Sequence, residues 1–300
     1  MLVAFVQALP LAWVIRLGRA GGALAITLDA RHREVALRNL AMCFPEKAPE
    51  EIASLARENF RRIGENFGSA VKTAAMSEGQ IRALLTVSGC ERFVPFREDG
   101  PTPRSVVVAI GHFGNFELYA RTPLFAPGFR PSTTYRGLRQ PGLDRLLQKL
   151  RSRSGCAFFE RRRDAAALKA AIEKPGLMIG LLADQHAGDR GARMPFLGHD
   201  CSTSVAPAVL ALRYGCPLFT GICFRTAPGR WHIEYGDEIP THEHGRPRDT
   251  EAITADVNRA FETAIRRDPA NWFWVHNRWK PGKWRRETVP DEPATLAEDQ

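Results

Sequence analysis

Apolar residues recur between Pro49 and Ala75 at Ile52, Leu55, Ala56, Phe60, Ile63, Phe67 and Val71. Spacings of three and four predict a long amphipathic helix. Ahead of it, Arg31–Leu40 reads as a basic amphipathic helix stopped by Cys43-Phe44-Pro45. After it, Ser77–Leu85 reads as a short helix capped by Ser77. From Ser105 the pattern changes to short apolar runs alternating with helical stretches. Strands are predicted over 105–110, 133–135, 157–159, 177–182, 217–224 and 231–235, and helices over 114–125, 143–153, 164–173, 205–214 and 250–266. This alternation implies an α/β fold, a mixed central sheet flanked by helices, behind a helical amino-terminal region. Residues 31–288 form the main domain. Residues 289–300, acidic and proline-containing, read as a disordered tail.

Residues 1–30 form an apolar helix region. Leu2–Ile15 carries no charge, and a second apolar stretch, Ala20–Leu28, follows Arg16 and Arg19. Fourteen helical residues span roughly 21 Å against a hydrocarbon core of ~30 Å. No Lys or Arg precedes the run, and two arginines stand where a cleavage region would begin, which argues against a signal peptide. The expectation is a membrane-associated helix, in-plane or tilted, with its arginines at the headgroups; a buried helix is the competing reading.

Charge narrows the partners. The 42 Lys+Arg against 33 Asp+Glu give a net charge of +9, which suits nucleic acid, anionic lipid or a phosphorylated substrate. The six cysteines are scattered without a Cys-x-x-Cys pair, against a zinc site or disulfide framework. His242-Glu243-His244, with His199 or His232, lacks metal-ligand spacing, so no metal and no cofactor are expected.

His112, Arg136, Glu160 and Asp184 each fall just past a predicted strand, where open α/β sheets gather ligands. The segment Ile110–Leu118 is the most informative. His112 lies between Gly111 and Gly114, and Glu117 follows five residues later. Five helical residues turn about 500°, so the two cannot share a helical face. The glycines instead leave His112 on a loop and Glu117 in a first helical turn. There Glu117 can fix one imidazole nitrogen while the other acts as a base, and loop amides can form an oxyanion site. Alone, a His-x4-Glu spacing fits a satisfied core histidine beside an unrelated surface glutamate better than it fits chemistry. Arg136, with Arg139 as a weaker second, suits a phosphate. Asp184 and Gln185 suit acceptor positioning, orientation of His112, or a strand-end turn. Asn115 suits a helix cap better than chemistry. The basic clusters Arg161–Arg163 and Lys280–Arg286, with Trp272, Trp274, Trp279 and Trp284 near them, fit a solvated face as well as they fit a membrane edge or an acidic partner; for the tryptophans, core packing is the alternative.

The string His112-Phe113-Gly114-Asn115-Phe116-Glu117 resembles the His-x4-Asp/Glu motif of the lysophospholipid acyltransferase superfamily. It is most similar to the His-aromatic-Gly-Asn-aromatic-Glu form of the bacterial lipid A late acyltransferases. Four further blocks resemble that family in order: Arg31–Pro45; Tyr135-Arg136 with Pro141–Asp144 and Arg151–Gly155; Asp184-Gln185 with Pro195–Gly198; and the tryptophan-rich Pro269–Lys280. The resemblance implies a glycerolipid acyltransferase-like fold on the cytoplasmic face of the inner membrane. It implies transfer of an acyl chain from acyl carrier protein to a hydroxyl of an anionic lipid A precursor, with no cofactor. His112 would be the base, oriented by Glu117, and Arg136, Arg139, Asn115, Asp184 and Gln185 would bind substrate. An aminolipid, glycolipid or lysophospholipid acceptor is the alternative. A glycerophosphate-type enzyme would carry a Phe-Pro-Glu-Gly block, where this chain has Asp184-Gln185. A nucleic-acid-binding protein has the charge in its favour but no binding motif.

Overall fold

The computed structural model describes residues 2–93, 104–137, 140–161 and 163–280. Arg139, Arg162, Trp284 and the acidic tail lie outside them. The chain opens with helices α1 (Leu2–Ala8), α2 (Leu11–Leu28), α3 (Ala30–Cys43), α4 (Pro49–Thr73) and α5 (Glu78–Arg82). It continues through β1 (Leu85–Ser88), β2 (Val106–Ile110), β3 (Arg130–Tyr135), α6 (Pro141–Arg151), β4 (Ala157–Glu160), α7 (Ala165–Ile172) and β5 (Leu177–Leu182). After β6 (Ala192–Phe196) and β7 (His199–Thr203) come α8 (Ala206–Tyr214), β8 (Leu218–Ala227), β9 (Arg230–Tyr235) and α9 (Thr250–Arg267).

Seven strands form the central sheet in the order β1-β9-β8-β2-β5-β3-β4. Every neighbouring pair is parallel except the antiparallel β8–β9 hairpin, so the sheet is mixed. The central strands β2 and β5 are near-continuous apolar runs, as a sheet covered on both faces requires. One core cluster packs α3, α4, α8, α9 and the tryptophan-rich segment against one face; a second packs α5 and the segment after β2 against the other.

One strand and one hairpin escape the sequence pattern. β1 is a four-residue edge strand that begins at Leu85, the last residue of a predicted helix. The β6–β7 hairpin turns on Leu197 and Gly198, with φ of 51° and 81°. Positive φ at both loop positions suits the twist of a tight hairpin, and leucine hides it, because that conformation strains a residue with a Cβ. The helix predicted over 114–125 is a 3-10 helix, Phe116–Leu124, with Pro123 inside it. Proline removes an N–H and obstructs the α-helical ladder.

The helix α2 is long and apolar enough, at 18 residues, to cross a membrane, yet it lies along α4. The approach is backbone to backbone. A Cβ on Gly22 would meet the Phe60 carbonyl oxygen at 2.1 Å, and one on Gly64 would meet the Gly18 oxygen at 2.1 Å. Arg19, expected at headgroups, instead bridges the two helices to Glu58 and Glu65, while Arg16 stands over the Trp13 ring. Glu65 is fully buried and also accepts from Arg225 and from the Gly229 amide, which ties α4 to the β8–β9 turn. A buried carboxylate persists only when so compensated. Together α1, α2 and α4 expose Leu2, Phe5, Trp13, Leu17, Leu24, Leu28 and Phe67.

The crossing dictates which glycines matter. Gly64→Val should lower the thermal unfolding midpoint sharply. Gly21→Ala, where an added Cβ meets nothing within 4 Å, should leave stability unchanged or raise it by about 0.5–1 kcal/mol. Calorimetry of the two variants in matched detergent checks the contrast.

Candidate active site

The register of the sheet assembles the site. Ile110 at the end of β2 pairs with Leu182 at the end of β5. His112 and Asp184 each lie two residues beyond that pair, so the parallel alignment carries them to the same height on adjacent strands. The Asp184 carboxylate accepts from the His112 backbone amide at 2.8 Å and lies 2.8 Å from the His112 ring at Nδ1. Its third donor is the Trp272 indole, also at 2.8 Å. Asp184 is completely buried. Burial pushes its carboxyl pKa up, but the charge and hydrogen bonds of His112 and the Trp272 indole outweigh this and hold it below the ordinary carboxylate range.

The glycines beside His112 make room for this contact. A Cβ on Gly111 would meet the Phe113 ring at 2.6 Å and the Asp184 carboxyl carbon at 3.2 Å. Gly114, at φ +50°, turns the chain where a Cβ would strike the Cys223 carbonyl at 2.6 Å. The Gly114 amide then donates to Asn271, and Phe113 bridges Trp272 across an isolated antiparallel contact.

The carboxyl-terminal tryptophans are core. Trp272, Trp274 and Trp279 are buried around Phe196, and do not stand at a surface edge. Asn39 of α3 donates to the carbonyls of Trp274 and His276, and Asn59 of α4 to those of Ala270 and Trp272. Arg278, fully buried, donates to the Gln185 carbonyl and to Thr203 Oγ1. These clamps fix the indole that holds Asp184.

Glu117 takes a different partner from the one expected. It starts the 3-10 helix, and its carboxylate receives the Arg151 guanidinium of α6 at 2.6–3.2 Å in a forked pair. It shares no hydrogen bond with His112. The imidazole is oriented by Asp184, because the sheet register brings that carboxylate under Nδ1 while the helix start carries Glu117 across to α6. Asn115 occupies the cap position, but its side chain caps nothing.

Two cavities meet at His112. One, of about 260 Å³, is mostly apolar and runs between α4, the 3-10 helix and α6, past Ile63, Phe67, Ala70, Asn115 and Phe273. The other, of about 530 Å³, lies over the ends of β2, β3 and β5 and carries Arg136, Arg161 and Gln185 on its wall. Phe116, Glu117, Ala120, Leu147 and Arg151 face both. Arg136 and Gln185 therefore share a cavity with His112, whereas Asp184 lies behind the histidine.

A profile of the bacterial lipid A biosynthesis acyltransferases matches residues 1–281. The chain belongs to that family. It is similar to the lipid A biosynthesis lauroyltransferase of Escherichia coli (strain K12), 26% identical over 285 residues, covering 94% of this chain and 89% of that protein. It is likewise 26% identical over 271 residues to the lipid A biosynthesis palmitoleoyltransferase of the same organism, covering 88% of this chain and 84% of that one. The phosphatidylinositol mannoside acyltransferase of Mycolicibacterium smegmatis (strain ATCC 700084 / mc(2)155) is 24% identical over 249 residues, 81% of this chain and 78% of that protein.

Within this acyltransferase, sequence reasoning overlooked three contributors: Trp272 as the indole on Asp184, Arg151 as the partner of Glu117, and His276. Both Trp272 and Arg151 lay in blocks already singled out, so the signal was present without its pairing. His276 Nε2 accepts from the His186 amide at 3.1 Å. Burial, with the opposing charges of His112 and Arg278, depresses its pKa from 6.5 to about 4, Asp184 acting the other way.

Above pH 6.5 neither the native nor the unfolded His276 is protonated. As pH falls towards 4 the unfolded chain takes up the proton and the native chain does not, so stability drops across that window. Unfolding midpoints measured from pH 7 to pH 4 should fall less steeply in His276→Gln, which keeps an acceptor and has no such proton to gain.

Proposed function

We propose that this acyltransferase moves a fatty acyl chain from an acyl thioester on acyl carrier protein to a hydroxyl of a lipid A precursor, with His112 as general base and Asp184 as the carboxylate that orients it. The observation that carries the reading is the His112–Asp184 pair at the junction of two cavities. Asp184 claims Nδ1 and so selects the tautomer whose Nε2 is the acceptor. The acceptor oxygen forms a bond to the thioester carbonyl carbon as its proton passes to Nε2. The tetrahedral intermediate then expels the thiolate, which recovers that proton. A thioester is activated enough for a base and an oxyanion site to suffice, with no serine or cysteine nucleophile.

Two acyl-bearing substrates need two places, which the paired cavities provide. Arg136 and Arg161 supply cations on the wall of the larger one, suited to a phosphorylated acceptor. A groove between α1, α2 and α4 shares Ile63, Phe67 and Phe273 with the apolar cavity. With the exposed apolar face of α1 and α2, this supports a chain seated on the inner membrane that takes lipid from it. Family names support lipid A as acceptor; the mannoside acyltransferase relative keeps a glycolipid acceptor as the second reading.

Assayed with lauroyl-acyl carrier protein and a lipid A precursor carrying free 3-hydroxyacyl chains, His112→Ala should abolish transfer, and Asp184→Asn should lower kcat by up to about 10⁴-fold. Retained turnover in His112→Ala would sink the mechanism. Because Glu117 and Arg151 act as one pair, Glu117→Gln and Arg151→Gln should each lower kcat/KM, and the double variant should lose little more than either single. Adding Asp184→Asn to Glu117→Gln should compound the loss. Separately, Leu17→Asp with Leu24→Asp should release the protein from anionic phospholipid vesicles in a flotation assay while its unfolding midpoint is kept.

A further inference from the structure

Of the four asparagines that line the apolar cavity beside His112, three are incompletely paired: Asn59, Asn66 and Asn115. Each carries a buried side-chain atom with no hydrogen-bond partner, and in Asn115 both Oδ1 and Nδ2 are unpaired. Buried amides in native proteins nearly always find partners. Asn59 is explained by its Nδ2, which clamps the carbonyls of Ala270 and Trp272. Asn115 has no comparable task. It is 1% exposed, lies three residues after the base, and stands at a helix start that it does not cap.

Its backbone leaves the side chain little choice of position. The Gly114 amide donates to the Asn271 carbonyl at 3.0 Å, and the Asn115 carbonyl accepts from the Leu118 amide at 3.0 Å and from Cys223 Sγ at 3.6 Å. A rigid turn therefore holds an unpartnered amide in the wall that also carries His112. A neutral donor kept free of protein partners is what a developing alkoxide requires, since nothing has to be broken before it can bind.

We propose that Asn115 is the oxyanion-binding residue of the transfer, its Nδ2 donating to the thioester carbonyl oxygen as that atom becomes negative. The assignment rests on the acyl-transfer reading above. As the acceptor oxygen bonds to the carbonyl carbon and its proton goes to His112, the carbonyl π pair moves onto the oxygen that Asn115 holds. When the C–O double bond re-forms, the carbon–sulfur bond breaks, the thiolate leaves with that electron pair, and it takes the proton from His112. The hydrogen bond is strongest at the charged stage, so it raises kcat more than it lowers KM.

The test compares Asn115→Ala, which removes the donor, with Asn115→Ser, which keeps a shorter one, in the full chain with lauroyl-acyl carrier protein and the hydroxyacylated precursor. Asn115→Ala should lose about 10²–10³-fold in kcat, with KM within about three-fold of the parent. Asn115→Ser should recover part of the loss. The unfolding midpoint of Asn115→Ala should not drop, because an unsatisfied buried amide is gone. A merely structural asparagine would behave oppositely, with a lower midpoint and near-normal kcat. The assignment is overturned if kcat in Asn115→Ala stays within about three-fold of the parent, or if its midpoint falls in step with activity. His112→Ala run alongside separates the two levels: an inactive His112→Ala with a fully active Asn115→Ala defeats only the oxyanion assignment, whereas an active His112→Ala defeats the acyl-transfer reading itself.

Discussion

A carboxylate with no access to water must find its hydrogen bonds inside the protein, and Asp184 finds three. Two come from the turn after β2 and one from an indole almost ninety residues further along the chain. Losing any of them would leave a buried anion short of a donor, a far larger penalty than the net value of one hydrogen bond. The demand therefore reaches outward. It requires β2 beside β5 in the observed register, a glycine at 111, and a tryptophan segment pinned by Asn39, Asn59 and Arg278. Assembly of the site and completion of the fold are one event, because the same groups satisfy both.

This explains what could be read along the chain. The strands and long helices were legible from periodicity, since each is a local pattern of apolar residues with two clear faces or none. The His112 turn was legible because its two glycines are local as well. The identity of its carboxylate was not. Glu117 is close in sequence and Asp184 close in space, and only the pairing of β2 with β5, strands separated in sequence by β3, β4 and the helices around them, distinguishes them. Asp184 was singled out at a strand end, but position alone left its task open. The β6–β7 hairpin was hidden for a different reason. Its turn uses Leu197 in a backbone conformation normally given to glycine or asparagine, tolerated because the leucine side chain is buried. Trp272, Trp274 and Trp279, near basic residues, resembled an interfacial belt, and tertiary packing with Phe196 made them core.

Charge is distributed here by function more than by sign. The net positive balance gives no hint that several arginines are committed internally: Arg225 and Arg19 to Glu65, Arg62 to Asp268, Arg278 to main-chain carbonyls. Arg136 and Arg161 instead stand on the wall of the second cavity. Sorting the cations by partner turns a bulk property of the composition into a short list of candidate contacts.

The two cavities are divided by side chains and not by backbone. Phe116, Glu117, Ala120, Leu147 and Arg151 face both, so the same few residues form the partition between them. Space gained by one chamber across that partition is space taken from the other. On the proposed reading, in which the chambers hold the incoming and the resident acyl groups, their chain-length preferences are mechanically linked and would change as a pair. On that reading a change in one acyl length carries the other with it, the trace of a party wall shared by two tenants.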